Sequence, residues 1–488
     1  MYTIVAIINT FSPERSQEFI LWLKKKNRRG DVKNILLFQY LVKGDTDVLD
    51  VKIYGKPSRN AFHALCKRLQ DSLLHFIATK SFEGEVSEEL EVLKYVVVSR
   101  IFLEQQDYKL GYKTLEKAEK LAVEIDHYSL LNEIYHTKIQ YAHFNTSLNL
   151  EEVFAVAEKN MQAFQADFKF NMAYADIKDK IQHIDSLPIL NDIVEKAFKK
   201  FDVSINEWLS FKSLYQLMSL TSVTAKLQRN YYRVTPFIEE AYELVSNKKT
   251  LVDKHLYYHI GILQVMAMVN FRNKKFKTAH LFIEKMQEQM TRNNKMYYRR
   301  FIADLNTLKS LYYNYTGNAE KALEVLENDS SGALDISLIR IMCLLQQDRY
   351  KEAYQIIKKL NHSDSWYEKK IGWIWVLKKN IVEILLLIEL DQLDLVLLRI
   401  KSFKTRFATK LQQIEEVRVF PFLELALAYY ENPKQVLSKS FREKVEASFD
   451  WKENREEDIY VMSIYAWLKA KMENKPLYAI TLEMVSNV

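Results

Sequence analysis

Two histidines one helical turn apart, His255 and His259 in HLYYH, are the first place where this chain could do chemistry. Residues four apart share a helix face, so the pair would hold a metal ion if a neighbouring helix supplied a carboxylate. The plainer reading is a half-buried polar stripe beside Tyr257 and Tyr258, and on that reading neither metal nor cofactor is expected. Other catalytic patterns are missing. With nine Gly in 488 residues there is no G-x-G-x-x-G, no phosphate-cradling P-loop and no G-x-S-x-G. H-E-x-x-H is absent, as is H-x-E with cysteine partners, which removes the zinc hydrolase and deaminase readings. Carboxylates are numerous but sit in E-x-x-K arrangements typical of solvated helix faces. The chain is therefore expected not to be an enzyme.

Charge is distributed less evenly than composition suggests. Residues 1–80 hold fourteen Lys and Arg against seven Asp and Glu, a net +7 that equals the whole chain's, so residues 81–488 sum to zero. Lys24, Lys25, Lys26, Arg28, Arg29 and Lys33 form one basic run beside Trp22, and Arg59, Lys67 and Arg68 add to it from the next helical stretch. One reading is contact with nucleic acid or another acidic surface. In a helix-turn-helix arrangement the helix opening at Ser58 would be the recognition helix, with Arg59 and Asn60 near its start. The plainer alternative is a solvated cationic helix end on an ordinary packing helix carrying Phe62, Leu65, Leu69, Leu73 and Leu74.

The elements that must position these residues are helices. Average usage would give about 34 Gly and about 24 Pro in a chain of this length, whereas there are nine and seven. Both are costly inside helices and needed in tight turns, so long helices with short polar connections are expected. Cys66 and Cys343 each sit inside an apolar helical pattern, which excludes a disulfide framework and suits a reducing compartment. The N-terminal apolar run is too short to span a bilayer, and the apolar stretch 381–400 is interrupted by Glu383, Glu389, Asp391 and Asp394. That stretch is expected to be a buried helix pair; no membrane span is expected, and the setting is read as cytoplasmic.

Within this pattern one local grammar recurs. After a polar turn, an aromatic or apolar residue is followed by a small residue three positions on and then by further core positions. Tyr108, Gly111, Leu115 and Ala118 give the first copy; Phe276, Ala279, Ile283 and Met286 the second; Ala319, Ala322 and Leu326 the third. Tyr350, Ala353, Ile357 and Leu360 match most closely, and Leu393, Val396, Ile400 and Phe403 follow. Weaker copies surround Val153, Val436 and Ile480, and residues 187–201 and 234–245 could hide two more, the latter with Pro236 at a helix start. The commonest spacing between small positions is near 42 residues.

These residues resemble the second helix of tetratricopeptide repeats, with each unit about a turn longer per helix. The resemblance implies an all-α, right-handed superhelix of antiparallel helix hairpins over residues 86–488, fronted by a basic helical cap domain at 1–85. It also implies a concave face lined by first helices that contacts a protein or peptide partner. Counting back from each turn places Arg100, Gln264, Arg272, Asn314, Tyr315, Gln346, Lys378 and Glu389 near that face. The expected function is a non-catalytic binding scaffold. The alternatives are a regulator whose residues 1–85 contact nucleic acid, and an enzyme with an unfamiliar site between helices.

Overall fold

The scarcity of Gly and Pro is answered by helix almost everywhere, with no strand among the described residues. The computed structural model describes residues 2–8, 11, 13–26, 33–45, 47–83, 88–145, 148–183, 190–228, 231–248, 252–413, 418–448 and 457–486. The chain divides into two compact units, Met1–Ala157 and Glu158–Val488.

In the first unit, α1 (Tyr2–Ile8), α2 (Pro13–Lys26), α3 (Lys33–Val42), α4 (Leu49–Tyr54) and α5 (Arg59–Glu83) surround one apolar cluster. Phe19, Phe38, Leu65, Leu69 and Phe76 are fully buried in it. A second cluster, with Val92, Leu115, Ala118 and Ile134, is built by α6 (Glu88–Glu104), α7 (Tyr108–Glu124) and α8 (Tyr128–Gln140). The division expected at residues 85 and 86 thus falls inside the first unit, between its two clusters. It is followed by α9 (Leu150–His183), a single 34-residue helix where the weak copy around Val153 had suggested half of a hairpin.

The second unit continues with α10 (Leu190–Phe201), α11 (Phe211–Gln228), α12 (Tyr231–Asn247), α13 (Leu256–Arg272), α14 (Phe276–Lys295), α15 (Tyr298–Tyr315) and α16 (Ala319–Glu327). It ends with α17 (Leu334–Gln346), α18 (Tyr350–Lys359), α19 (Asp364–Ile371), α20 (Trp373–Glu389), α21 (Leu393–Gln413), α22 (Val419–Glu431), α23 (Lys439–Ser448), α24 (Ile459–Glu473) and α25 (Leu477–Ser486). Chain neighbours pack as hairpins: α13 with α14, α15 with α16, α17 with α18, α20 with α21, and α24 with α25.

The recurring grammar marks where the second helices begin. Tyr108, Phe276, Ala319, Tyr350 and Leu393 are each the first residue of their helix. The reason is visible in the backbone of the preceding turn. Gln106, Lys274, Gly317, Asp348 and Asp391 all have positive φ, between 56° and 91°, two residues before the helix starts. At each turn the next N–H donates to the carbonyl five residues back (Asp107 to Phe102, Lys275 to Asn270, Asn318 to Tyr313, Arg349 to Leu344, Gln392 to Leu387) at 2.8–3.0 Å. That is the left-handed cap that closes a helix by satisfying its last carbonyls. The small residue one turn on then admits the partner helix. A Cβ on Gly111 would come within 2.7 Å of Leu103, and Ala279, Ala322, Ala353 and Val396 are fully buried.

The stretch 381–400 is a helix pair, the second half of α20 and the start of α21, but only the α20 half is buried: α21 turns Val396 and Ile400 to the core and leaves Leu393, Leu395, Leu397 and Leu398 exposed. Within α20, Glu383 pairs with Arg399 at 2.7 Å and Lys379 with Asp364 at 3.0 Å, so its buried charges have partners in the protein. No helix among the described residues is long and apolar enough to cross a membrane. One expectation fails: Pro236 is inside α12, not at its start. The helix gains an earlier turn because Tyr231 is buried, with the Arg272 guanidinium 5.1 Å from its ring centroid.

Candidate functional site

Four of the eight residues that counting back assigned to a concave face share one structural place. Arg272, Tyr315, Gln346 and Glu389 are the last residues of α13, α15, α17 and α20. The left-handed caps stop these four helices at a common level, and the side chains at that level meet the last hairpin of the chain.

Asp458 begins that hairpin. It caps α24 by accepting the Tyr460 N–H at 2.9 Å, and the same oxygen takes the Arg272 guanidinium at 3.3 Å. Both side chains are buried; burial works against the arginine's charge, but Asp458 and Tyr231 hold its pKa above the ordinary value. One turn on, the Tyr315 and Ser463 hydroxyls are 2.6 Å apart. Burial pushes the Tyr315 hydroxyl up to about 12, against the pull of its Ser463 contact. Near the end of α24, the Trp467 indole donates to Glu389 at 2.6 Å, and Lys471 pairs with the same carboxylate at 2.7 Å. The Lys378 ammonium lies 4.1 Å from the Tyr460 ring centroid. From α25, Tyr478 donates to the Asn314 carbonyl at 2.7 Å, and the Asn314 amide donates to Gln346 at 2.7 Å.

Arg272, Asn314, Tyr315, Lys378 and Glu389 therefore face α24 and α25 directly, and Gln346 joins them through Asn314. Gln264 stands apart, half-buried and bonded to Asp304, whose carboxyl burial raises. Arg100, in the first unit, pairs with Glu133 at 2.7 Å and donates to Thr137. A peptide reaching the first group would have to displace the C-terminal hairpin. Sequence reasoning passed over Asp458, Ser463, Trp467 and Lys471. The only signal was the weak copy around Ile480, which marks a last hairpin but not where it docks.

The basic residues of the first unit have a different setting. Along α5, Leu65, Leu69, Leu73 and Phe76 point inward and are fully buried, while Arg59, Asn60, His63, Lys67 and Arg68 are exposed on the other side. Phe62 is half-buried, and Leu74, expected among the packing residues, is 50% exposed. The approach to α5 is fixed by Gly55 at φ 72°, by the Ser58 N–H donating to Asp50 at 3.1 Å, and by Tyr54 donating to the Ala61 carbonyl at 3.0 Å. Lys24, Lys25 and Lys33 are exposed, with the Lys33 ammonium 4.5 Å from the Tyr54 ring centroid. Arg28, Arg29 and the side chain of Lys26 lie outside the described residues.

The histidine pair brackets a phenylalanine. His255 stacks on Phe211 at 5.0 Å between centroids, and His259 meets the same ring edge-on at 6.3 Å. No group of three His, Cys, Asp or Glu that could hold a metal is found among the described residues. Burial, reinforced by Arg292 and Lys285, lowers His259 from 6.5 to about 4. A histidine depressed in the fold stays neutral there while, below pH 6.5, its unfolded counterpart binds a proton. Its contribution is complete above pH 6.5 and is lost as pH falls toward 4. The loss is on the order of 3 kcal/mol. Urea denaturation of His259→Phe should show a flatter decline between those pH values than the unaltered chain; identical slopes would refute this account.

Set against known protein families, curated proteins and solved structures, the chain matches none.

Proposed function

We propose that the chain is a non-catalytic regulator whose first unit binds nucleic acid through α5 and the basic end of α2. The observation that carries this reading is the two-sided character of α5. One side is sealed into an apolar cluster, and the other offers Arg59, Asn60, His63, Lys67 and Arg68 to solvent. Lysine and arginine on one helix face neutralise phosphates and release their counterions, and asparagine and arginine near a helix start can reach base edges. The turn between α4 and α5, held by Gly55 and the Asp50–Ser58 contact, supports a helix-turn-helix-like presentation. The tetratricopeptide-like grammar of the second unit supports a role for that unit in holding or sensing a partner. A peptide lying along the ends of α13, α15, α17 and α20 has less support, because α24 and α25 occupy that level. Free, buried Cys66 and Cys343 suit a reducing, cytoplasmic setting.

Fluorescence anisotropy of the full chain with a mixed-sequence DNA duplex and a single-stranded RNA tests this. Affinity should fall steeply between about 50 and 200 mM salt. The exposed pair Lys67→Glu and Arg68→Glu should weaken binding about tenfold or more and flatten the salt slope. Salt-insensitive binding, or binding indifferent to both substitutions, would overturn the proposal.

A further inference from the structure

On α15, Ile302, Asn306, Lys309 and Tyr313 fall at spacings of four, three and four, which puts them on one helix face. Facing them, α16 contributes Lys321 and Val325, and between the two helices lies a cleft of about 850 Å³. The segment after α16 closes one end: Asn306 donates to Asp329 at 2.8 Å, and the Ser331 N–H donates to the same carboxylate at 3.0 Å. Asp329 is thus committed to shaping the cleft. The volume is in the range of small-molecule sites.

The cations in this cleft are poorly compensated. Lys309 is half-buried and makes no hydrogen bond or ion pair with any described residue. Burial first, and then the neighbouring Lys321, lower its pKa, and no carboxylate counters them. The Lys321 ammonium rests 4.6 Å from the Tyr313 ring centroid without an ion-pair partner among the described residues. Arg299 lines the same cleft from the first turn of α15 and is likewise unpaired among the described residues. Glu324 is also in the lining, on α16 three residues beyond Lys321. Two like charges brought together beside a half-buried floor are unfavourable in the empty protein, and they become favourable when an anion arrives between them. Tyr298, Ile302 and Val325 meanwhile give the cleft aromatic and apolar walls.

We propose that the cleft between α15 and α16 binds a small organic phosphate of about mononucleotide size. Lys309 and Lys321 hold the phosphate, and the apolar wall of Ile302 and Val325, with Tyr298 and Arg299 at the far end of the cleft, takes the ring. The site lies within the second unit and does not rest on the nucleic-acid reading of the first.

Calorimetric titration of the full chain with adenosine monophosphate and with adenosine tests it. The monophosphate should bind, with adenosine about tenfold weaker or more, as expected for charge-assisted contacts to the phosphate. Lys309→Met should weaken the monophosphate by about tenfold or more and at the same time raise the thermal midpoint of the unliganded protein. A lysine with a merely structural role would lower that midpoint when removed. If Lys309→Met does not fold, the exposed Lys321→Gln carries the same comparison. No binding of the monophosphate at millimolar concentration, equal affinity for adenosine, or unchanged affinity in the lysine variants would overturn the proposal.

Discussion

Arg272→Met is expected to destabilise the second unit by about 3–5 kcal/mol, as removal of one partner from a buried ion pair does. The guanidinium is 12% exposed and the Asp458 side chain 3%, so the carboxylate left behind loses its compensating charge with little water to replace it. Part of the penalty also comes from lost packing of the guanidinium over Tyr231. Asp458→Asn separates these contributions. Asparagine caps a helix about as well as aspartate, so the bond to the Tyr460 N–H can persist while the buried charge is removed. The double variant should therefore be more stable than Arg272→Met alone, with a coupling of about 1–3 kcal/mol. Urea denaturation, with hydrogen exchange in α24, measures both. Strict additivity of the two substitutions would show that the pair does not act as a unit.

Trp467→Ala should cost about 3–5 kcal/mol, the range for emptying a large aromatic site. The residue is 1% exposed and is packed edge-on against Tyr429 at 5.5 Å. Trp467→Phe keeps most of the volume but removes the indole N–H from Glu389, leaving Lys471 as that carboxylate's partner. Its cost should be about 1–3 kcal/mol, that of a lost hydrogen bond to a charged group. If the hairpin α24–α25 holds the ends of the earlier helices together, both variants should speed hydrogen exchange at Asn314 and Tyr315 as well as within α24. Exchange confined to α24 would mean that the hairpin rests on those ends without securing them.

What could be read from the chain divides along the distance over which each feature is determined. The starts of α7, α14, α16, α18 and α21 were legible because they depend on a few residues: a polar turn, an aromatic or apolar first position, a small residue one turn on. The cationic run was legible as charge, but its orientation was not; only the burial of Leu65, Leu69 and Leu73 fixes which side of α5 faces solvent. The common level of Arg272, Tyr315, Gln346 and Glu389 followed from counting back. Their occupant did not, because Ser463 lies 148 residues from Tyr315 and Asp458 lies 186 from Arg272. No local pattern carries that information. Pro236 misled for a related reason: its preference for a first turn is local, whereas the burial of Tyr231 that extends α12 is tertiary.

The turns have one more consequence. Gln106, Lys274, Asp348 and Asp391 hold a backbone geometry that L-residues adopt at a cost of about 1–2 kcal/mol each, although glycine serves the same position at Gly317. What the backbone selects there is a hand, opposite to that of the helices on either side. At exposed Gln106 in particular the chain is locally mirror-image, and a residue of inverted stereochemistry would lie there at rest. The hairpin register is thus written partly in chirality, which no alphabet of side chains records.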